Sequence, residues 1–447
     1  MSTICLDFGT AWCKAAQYVG QPGRAFSAEA VRVLPLGGAQ GAVLATALRV
    51  HGDRLLLGTQ ALAQDAGAPV GQGAKSAPYL SFKTLLSAPD LQRVLLMRAP
   101  ARYDSSAGFA QRELVIAFLG FAFHRVRAAL GLGPGEGMVP FRFTYPAWGL
   151  GQDRRAELGA LFNEAACLAQ ILGNAYDDSA GLPLDLLRDG LQAAKARALP
   201  IAIGAVFEAG AAACSRMLLE PNQAQALMVV DIGAGTTDFG AFTHRQGQMA
   251  EIRPARKTID LAGDIVDNAL LNLLIDRAKH IKGATAQGVL WRELSPQIRR
   301  FKEAMFAQGR ASVRCAGAVV QVQIGDLERH VGYRAFVEAV NSAFVQSLEG
   351  VLAGASEGSL ADGLIVVLSG GGAGLPFLGK MITRSRPKKW GKVRLVAAPL
   401  RPAWSEAPCF EGQLAPIFPQ MCVAIGGTLA GEHLVSPCVD LPHSAAL

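Results

Sequence analysis

Apolar runs interrupted by turns of small residues occur twice in this chain, once at its start and once near its middle. The first, TICLDFGTAWCKAAQY at residues 3–18, reads as two strands around a short turn. The second, MVVDIGAGTTDFGAF at residues 228–242, reads as two strands around a glycine-rich turn. Short apolar strands joined by small and polar residues are typical of β-hairpins. The two hairpins form a weak internal repeat, and we expect them to face a shared cleft.

Helical periodicity dominates between and after these hairpins. The most apolar stretch, LVIAFLGFAF at residues 114–123, lies inside a predicted helix at residues 111–130 and is too short to span a bilayer. We expect this helix to be buried or covered by a partner. The other predicted helical segments are residues 151–172, 177–198 (a polar, partly helical insert), 208–218, 264–279, 295–306, 333–352 and about 419–433. Strands that alternate with helices favour an α/β fold.

The composition is that of a globular protein, with 447 residues of which 51% are hydrophobic and 18% are charged. Eight cysteines form neither a CxxC pair nor a cluster with histidine, which favours a reducing compartment. Asp7 interrupts the first apolar run, so no secretory signal is predicted. We therefore expect a cytoplasmic protein without a membrane span.

The net charge of +7 is spread along the chain, with one local concentration, RSRPKKWGKVR at residues 384–394. A basic run of this kind can contact an anionic partner. Because no nucleic-acid-binding motif accompanies it, we predict a solvated surface loop and no nucleic-acid partner.

The turns of both hairpins are suited to phosphate, because a phosphate reaches backbone N–H groups only where side chains are absent. Asp7 and Asp231 stand near the ends of the first strands, beside these turns. An acid beside a polyphosphate needs a cation between them, and Mg²⁺ typically uses one or two carboxylates together with substrate phosphates. The sequence therefore predicts a Mg²⁺–polyphosphate site to which both hairpins contribute.

Two other nucleotide-binding motifs do not fit the residues. The segment AKS at residues 74–76 lacks the glycine of a GK[ST] sequence, and Asp238 replaces the last glycine of a GxGxxG pattern that begins at Gly233. A third glycine turn, SGGGAGLP at residues 369–376, follows a predicted strand and precedes a helix. Two acidic hairpins combined with this third turn are a more specific signal than any single turn.

In this order and spacing, the three turns resemble those of the actin-like ATPase superfamily. The detail between them is most similar to the nucleotide-binding domain of the seventy-kilodalton heat-shock chaperones, through the segments TYPAW, EAGAAACS and LAGDIVDNALLNLLI. The similarity runs from about residue 3 to residue 431. It implies an α/β, actin-like ATPase fold, in which two similar ribonuclease-H-like lobes surround a central nucleotide cleft. The implied cofactors are ATP or ADP and Mg²⁺.

The resemblance also implies roles for individual residues. Asp7 and Asp231 would hold the hydrated Mg²⁺, with Glu208 acting through water. Lys83 would position the γ-phosphate and Asp238 would orient the attacking water, so the implied catalytic residues are Lys83, Glu208, Asp231 and Asp238. The implied nucleotide contacts are Gly9, Thr10, Gly233, Ala234, Gly235, Thr236, Gly263, Lys302, Gly370, Gly371 and Gly372.

The chain departs from the family at the adenine end of the site. The family commonly places adenine beside two arginines and a glutamate–lysine pair, whereas the corresponding helix here reads RRFKEAM. It keeps Lys302, but Arg299 stands at the glutamate position and Glu303 at the arginine position, and Gly374 takes the place of the second arginine. We therefore expect weaker nucleotide binding or a looser base preference.

The resemblance also divides the chain. The expected parts are lobe I at residues 1–205 with the C-terminal helix 419–433 and a subdomain insert at about 37–140, lobe II at residues 206–418 with an insert at about 260–332, and a short tail at 434–447. Full chaperones continue into a peptide-binding domain after this point, and we expect none here.

The leading functional hypothesis is an ATP-binding, heat-shock-chaperone-like protein whose slow Mg-ATP hydrolysis drives lobe closure and the binding of protein partners or clients. One alternative is a bacterial actin-like filament protein, with the apolar helix at residues 114–123 in a subunit contact, so self-association is a further expectation. The other alternative is a catalytically silent nucleotide-binding scaffold, suggested by the missing arginines.

Overall fold

The fold is given by a computed structural model of the chain. It describes residues 3–20, 27–37, 41–63, 77–101, 103, 108–133, 136–137, 139–146, 153–217, 226–245, 248–280, 290–291, 294–315, 318–355, 359–384, 393–435 and 438–440. Most of the basic run at residues 384–394 and the last seven residues of the predicted tail lie outside this description. None of the described helices combines the length and apolar character needed to cross a bilayer.

The fold is mixed α/β, the broad class predicted, and its largest element is a single sheet. In order across this sheet, the strands are Leu395–Ala397, Leu364–Ser369, Ala226–Ile232, Thr237–Arg245, Gln248–Glu251, Leu434–Val435, Cys438–Asp440, Ala202–Phe207, Phe141–Tyr145, Thr3–Phe8, Trp12–Tyr18 and Val31–Leu34. Lys257–Ile259 also pairs with Thr237–Arg245, and Leu44–Ala45 with Trp12–Tyr18.

The same five-strand arrangement occurs twice within this sheet. In each copy, a hairpin continues into a third antiparallel strand, and the hairpin's first strand pairs in parallel with a later strand on its other side. A fifth strand then pairs in parallel with the fourth. We call the copy within residues 3–207 the first half and the copy within residues 226–397 the second half. The repeat seen in the two hairpins therefore extends to all five strands.

Two smaller sheets lie outside the repeat. One pairs Arg310–Cys315 with Ala318–Gln323, in the region predicted as the second insert. The other has the order Tyr79–Leu80, Ala47–His51, Arg54–Leu57 and Leu182–Pro183. The last of these strands belongs to the insert predicted at residues 177–198, so backbone pairing ties this insert to the first half.

Helices cover both faces of the large sheet. The α-helices are Thr59–Leu62, Leu91–Leu96, Gln111–Ala129, Arg155–Leu172, Leu184–Arg197, Glu208–Met217, Gly263–Ala278, Ile298–Gln308, Ile324–Arg329, Val331–Gly354, Phe377–Arg384 and Leu414–His433. The 3₁₀ turns are Ala28–Ala30, Phe82–Ser87, Gly173–Asp177, Arg253–Ala255, Ser295–Gln297, Ala403–Glu406 and Pro408–Phe410. The apolar stretch at residues 114–123 is covered by the rest of the chain, since Phe118 and Phe123 are both completely buried.

Two helices pack against each other between the halves of the sheet. Helix Glu208–Met217 contacts the second hairpin, and helix Leu414–His433 contacts the first. Their backbones approach closely, because a Cβ atom on Gly426 would lie only 1.7 Å from the carbonyl oxygen of Ala211. The second helix begins five residues earlier than predicted, since Pro419 stands inside it instead of marking its start.

Side chains along strand Ala226–Ile232 alternate between the two faces of the sheet, and both faces are buried. Leu227 and Val229 belong to the apolar cluster that includes the core of the first half. Met228, Val230 and Ile232, on the opposite face, belong to a separate cluster with helices Gly263–Ala278 and Val331–Gly354. A strand buried on both faces reads as a continuous apolar run, which is the pattern of residues 226–232.

Residues predicted as part of a short tail form two strands. Leu434–Val435 pairs in parallel with Gln248–Glu251, the edge strand of the second half. Cys438–Asp440 pairs antiparallel with Ala202–Phe207 of the first half. These pairings make one continuous sheet from the two five-strand copies.

Candidate functional site

A cavity of about 240 Å³ lies where the two hairpin turns meet. Every residue predicted for the site lines this cavity except Gly235. A Cβ on Gly235 would lie 2.7 Å from Thr84 Cγ2 and 3.0 Å from Thr10 Oγ1, so this glycine is where the second turn touches the first half. A larger cavity of about 660 Å³ lies beside strand Val31–Leu34, but neither Asp7 nor Asp231 lines it.

The first hairpin places Asp7 at the cavity with both of its carboxylate oxygens engaged. Lys14 Nζ donates to Asp7 Oδ2 at 2.5 Å, and Thr144 Oγ1 donates to Asp7 Oδ1 at 3.0 Å. Lys14 stands directly opposite Asp7 in the hairpin, and Thr144 comes from the neighbouring parallel strand. The turn itself is tight, because a Cβ on Gly9 would lie 2.3 Å from the carbonyl oxygen of Trp12.

The second hairpin places two acids at the cavity. Asp238 stands opposite Asp231 and accepts hydrogen bonds from Thr236 Oγ1 at 3.0 Å and Thr258 Oγ1 at 2.6 Å. Asp231 Oδ1, in contrast, is buried and has no hydrogen-bond partner among the described residues. Ser369 lies close to Asp231, but its hydroxyl is 3.0 Å from Cys422 Sγ and does not bond this oxygen.

The third glycine turn packs directly on the second hairpin. Gly370 has a φ of +80°, and a Cβ there would lie 2.5 Å from Asp231 Oδ1 and 2.4 Å from the carbonyl oxygen of Ile232. Gly372 N donates to that same carbonyl at 2.9 Å. A Cβ added to Gly371, which lines the cavity, would have no atom within 4 Å, so the space beside this residue is open. The bare backbone predicted for this turn is therefore present.

A buried ion pair joins the 3₁₀ turn Phe82–Ser87 to the start of helix Glu208–Met217. Lys83 Nζ donates to Glu208 Oε1 at 2.6 Å, and both side chains are more than nine-tenths buried. The predicted residues Lys83 and Glu208 thus contact each other at the cavity wall. The contact places an ammonium group in the same cavity as three aspartates, Asp7, Asp231 and Asp238.

The cavity shifts the proton equilibria of these groups. Burial, with repulsion from Asp238 and Asp7, raises the pKa of Asp231 to about 6. Burial also raises the pKa of Glu208, although Lys83 opposes this. Burial alone would lower the pKa of Lys83, but attraction to Glu208 and Asp7 raises it. A raised pKa keeps Lys83 positively charged, whereas a raised pKa makes Glu208 harder to ionise. We take Lys83 as the charged member at neutral pH, because Asp238 attracts it as well.

These residues fit a hydrated divalent cation that is completed by a substrate. Within the described part of the chain, no three His, Cys, Asp or Glu side chains are grouped so that they could hold a metal by themselves. Mg²⁺ does not need such a cage, since it keeps several waters and uses one or two carboxylates plus phosphates. Asp231 lines the cavity and its Oδ1 has no partner among the described residues, so this carboxylate is the one that fits such a cation.

The adenine end of the predicted site is formed by one face of helix Ile298–Gln308. Arg299, Lys302, Glu303 and Phe306 line the cavity there. Lys302 Nζ lies 2.9 Å from Asp267 Oδ1, so this lysine is held by a neighbouring helix. Gly374, where the family has its second arginine, also lines the cavity and leaves space open.

Polar contacts cross from the first half to the second above the cavity. Ser81 Oγ donates to Asp264 Oδ2 at 2.5 Å, and Ser81 is one of two non-glycine residues with positive φ in the described chain. Arg299 donates to the carbonyl oxygen of Ala11 at 3.3 Å and lies 3.9 Å from Asp264. These contacts hold the two sides of the cavity together.

Sequence reasoning missed three residues that hold the predicted acids: Lys14, Thr144 and Thr258. Lys14 could have been found from the sequence. In a hairpin with a four-residue turn, the strand residues pair outward from the turn, which places Asp7 opposite Lys14 and Asp231 opposite Asp238. Thr144 and Thr258 reach the acids through neighbouring strands, and no local pattern predicts those pairings.

Comparison with known proteins adds no relative. The chain matches no protein-family model, and no curated protein is significantly similar to it. The functional argument therefore depends on the geometry of the cavity and on the residues around it.

Proposed function

We propose that this chain is an ATP-binding protein similar to the seventy-kilodalton heat-shock chaperones, with slow Mg-ATP hydrolysis that drives closure of two lobes and the binding of a protein partner. One observation carries the proposal. Two equivalent hairpins, one from each half, present an acid and a bare turn to one cavity, together with the pair Lys83–Glu208.

The arrangement of strands supports an actin-like, two-lobed fold as part of this proposal. The five-strand order is the same in both halves, and the cavity lies between them. The helices Glu208–Met217 and Leu414–His433 pack together between the halves, which suits a hinge. Closure around a nucleotide would then move one half against the other.

The side chains supply the positioning and charge neutralisation that phosphoryl transfer requires. Bound Mg²⁺ would neutralise the charge that develops on the phosphates. Asp231 would hold that ion's water shell, and the turns at Gly9 and Gly233 would donate backbone N–H groups to the phosphates. Asp238 is fixed by two threonine hydroxyls, so it is oriented to accept a hydrogen bond from a water molecule. Lys83 lines the same cavity and would place its charge near the terminal phosphate.

The residues at the adenine end are weaker evidence for ATP than the residues at the phosphate end are for a triphosphate. Phe306, Val266, Leu375 and Val423 give this end an apolar lining, and Arg299 and Glu303 add charges of both signs. An apolar slot holds a purine by stacking and burial, without selecting one base strongly. We therefore propose a modest preference for ATP over GTP.

The silent-scaffold alternative keeps one specific observation in its favour, the absence of the arginines that the family uses at adenine. The filament alternative has lost its motivating feature, because the apolar helix it placed in a subunit contact is buried inside the chain. Its test remains sedimentation with and without ATP.

Calorimetric titration of the purified chain with ATP, in Mg²⁺ and in EDTA, tests the proposal directly. We expect Mg²⁺-dependent binding and a slow release of phosphate. In the Asp231→Asn variant, phosphate release should fall by about a hundredfold or more, a loss of about 3 kcal/mol in transition-state stabilisation. Absence of Mg-ATP binding by the wild type would refute the proposal. Binding without measurable hydrolysis would favour the scaffold.

A further inference from the structure

The two acids that the sequence treats as equivalent differ in the structure. Asp7 is 3% exposed and has a partner on each carboxylate oxygen, an ammonium and a hydroxyl. Asp231 is 6% exposed, and its Oδ1 is buried without a partner in the described part of the chain. One acid is therefore neutralised by the protein, and the other keeps a carboxylate oxygen without a partner.

We propose that Lys14 is a built-in counter-ion for Asp7, so that the divalent cation accompanying a polyphosphate is anchored by Asp231 and not shared between the two acids. This inference rests on the proposed function, because it concerns the same cavity. It differs from the expectation drawn from the family, in which Asp7 and Asp231 hold the metal together.

The first support is the geometry of the Lys14–Asp7 pair. The 2.5 Å contact joins two buried side chains that stand opposite each other in a hairpin, so the backbone fixes their separation. To coordinate a metal or its water shell, Asp7 would have to release the ammonium inside a cavity wall. Breaking a buried pair leaves a charge uncompensated, and this is strongly unfavourable. Asp231 needs no such exchange.

The second support is the charge balance of the phosphate end. Asp7, Glu208, Asp231 and Asp238 supply four of the five carboxyl groups that line the cavity, and Lys14 and Lys83 supply the ammonium groups beside them. Each lysine is paired with one acid, Asp7 or Glu208. Asp231 of the second hairpin, whose Oδ1 has no hydrogen-bond partner among the described residues, is therefore where a dication is needed most.

Lys14 also lies at the first turn. A Cβ on Gly9 would be 3.2 Å from Lys14 Nζ, so the ammonium stands beside the backbone that a phosphate would approach. An ammonium has three donors, and Asp7 occupies one of them. In this position Lys14 contributes to anion binding even when no metal is present.

The test uses inorganic pyrophosphate as a probe that lacks a base, titrated calorimetrically into ligand-free protein in Mg²⁺ and in EDTA. The ratio of the dissociation constants, EDTA over Mg²⁺, measures how strongly the metal assists binding. We expect Asp231→Asn to lower this ratio at least about tenfold, as for loss of one charged contact. Asp7→Asn should lower it by less than about threefold, because Asp7 is already paired and the freed Lys14 ammonium assists pyrophosphate binding in both buffers.

Lys14→Met gives the complementary result, with Lys83→Met as its matched control. Both variants remove one ammonium from the same cavity, but only the first frees Asp7. We expect Lys14→Met to weaken pyrophosphate binding in EDTA by about tenfold and to raise the ratio above the wild-type value. Lys83→Met should weaken binding without raising the ratio.

Equal losses in Asp7→Asn and Asp231→Asn would overturn the inference, and so would an unchanged ratio in Lys14→Met. Failure of the wild type to bind pyrophosphate in either buffer would overturn it as well. Circular dichroism and the urea midpoint of each variant show whether it is folded. If pyrophosphate binds as predicted but ATP does not, the inference stands and the proposed nucleotide function fails.

Discussion

The two hairpins have the same strand pairing and turn length but different charges at equivalent positions. Each has a four-residue turn, an acid one position before the last paired residue, and a charged residue directly opposite that acid. Opposite Asp7 stands Lys14, whereas opposite Asp231 stands Asp238. The first hairpin is therefore neutral at this pair, and the second carries two acids.

This difference shows how a repeated fold acquires a directional site. Each turn has four residues, and within the second one Gly233 N already donates to the carbonyl oxygen of Thr236 at 3.0 Å. We expect the residue seven positions after each acid to set how the hairpin binds phosphate. The ammonium of Lys14 attracts phosphate directly, whereas the second acid, Asp238, requires a cation first. If Asp231 anchors a cation and Lys14 attracts phosphate, as proposed above, the two hairpins bind different parts of one metal–phosphate ligand.

Removing the cation from the neutral hairpin should have the largest effect on stability. Lys14→Met keeps a long apolar side chain but leaves Asp7 buried and charged. Loss of one member of a buried ion pair costs about 3 to 5 kcal/mol. We expect the free energy of unfolding of the ligand-free protein, measured in urea at pH 7, to fall by this amount.

The matched control for Lys14→Met is the double variant with Asp7→Asn. Because it leaves no buried charge unpaired, it should recover most of the lost stability. A double variant as unstable as the single one would show that the packing of the lysine stem, and not its charge, is what the first hairpin needs.

The acidic hairpin should make the stability depend on pH. The pKa of Asp231 is raised from 3.8 to about 6 in the fold. A group whose pKa is raised on folding stabilises the protein below its ordinary pKa, and this contribution is lost as the pH rises through the folded value. For this shift the loss is roughly 3 kcal/mol at pH 7.

We therefore expect Asp231→Asn to be more stable than the wild type at pH 7 without ligand, and the difference to shrink as the pH falls from about 6 to 4. Thermal unfolding across this range measures it. The comparison isolates Asp231, because the other acids titrate in both proteins. A difference that does not change with pH would contradict the prediction.

The two turns should also differ in their tolerance of a methyl group. A Cβ on Gly9 would lie 2.3 Å from a backbone oxygen, whereas a Cβ on Gly233 would lie 3.2 Å from its nearest neighbour, the carbonyl oxygen of Thr236. We expect Gly9→Ala to cost about 1 to 3 kcal/mol of stability and Gly233→Ala less than about 1 kcal/mol. Urea unfolding of the two variants provides the test, and a larger cost for Gly233→Ala would refute it.

The smallest effect is expected at the contact between the halves. Ser81→Ala removes the hydroxyl that donates to Asp264, a loss of about 1 kcal/mol. If this contact holds the cavity closed, a fluorescent ATP analogue should dissociate several-fold faster. Ser81→Gly also lacks the hydroxyl but tolerates the positive φ, so it should dissociate as fast while folding more stably. Unchanged dissociation in both variants would assign the contact to folding alone.

Much of the site could be predicted from local sequence. The glycine turns and the acids beside them were found because strand and turn patterns are short-range, and all of the predicted site residues except Gly235 line one cavity. The start of the last helix was wrong because a proline is most common in the first turn of a helix, whereas Pro419 is held inside this one by packing. The strands at residues 434–440 carry too few residues to be predicted without their neighbours.

The amino-acid sequence by itself determined the two hairpins, their acids and their bare turns, because hydrophobic alternation and glycine act within a few residues. Counting outward from the turn already pairs Asp7 with Lys14, but the hydroxyl partners of the acids depend on the tertiary structure. Thr144 and Thr258 reach Asp7 and Asp238 from strands that are distant in the sequence, and Ser369 lies near Asp231 without satisfying its buried oxygen. Hydrogen-bond partners across a sheet depend on which strands lie side by side, and packing of the whole chain selects that order.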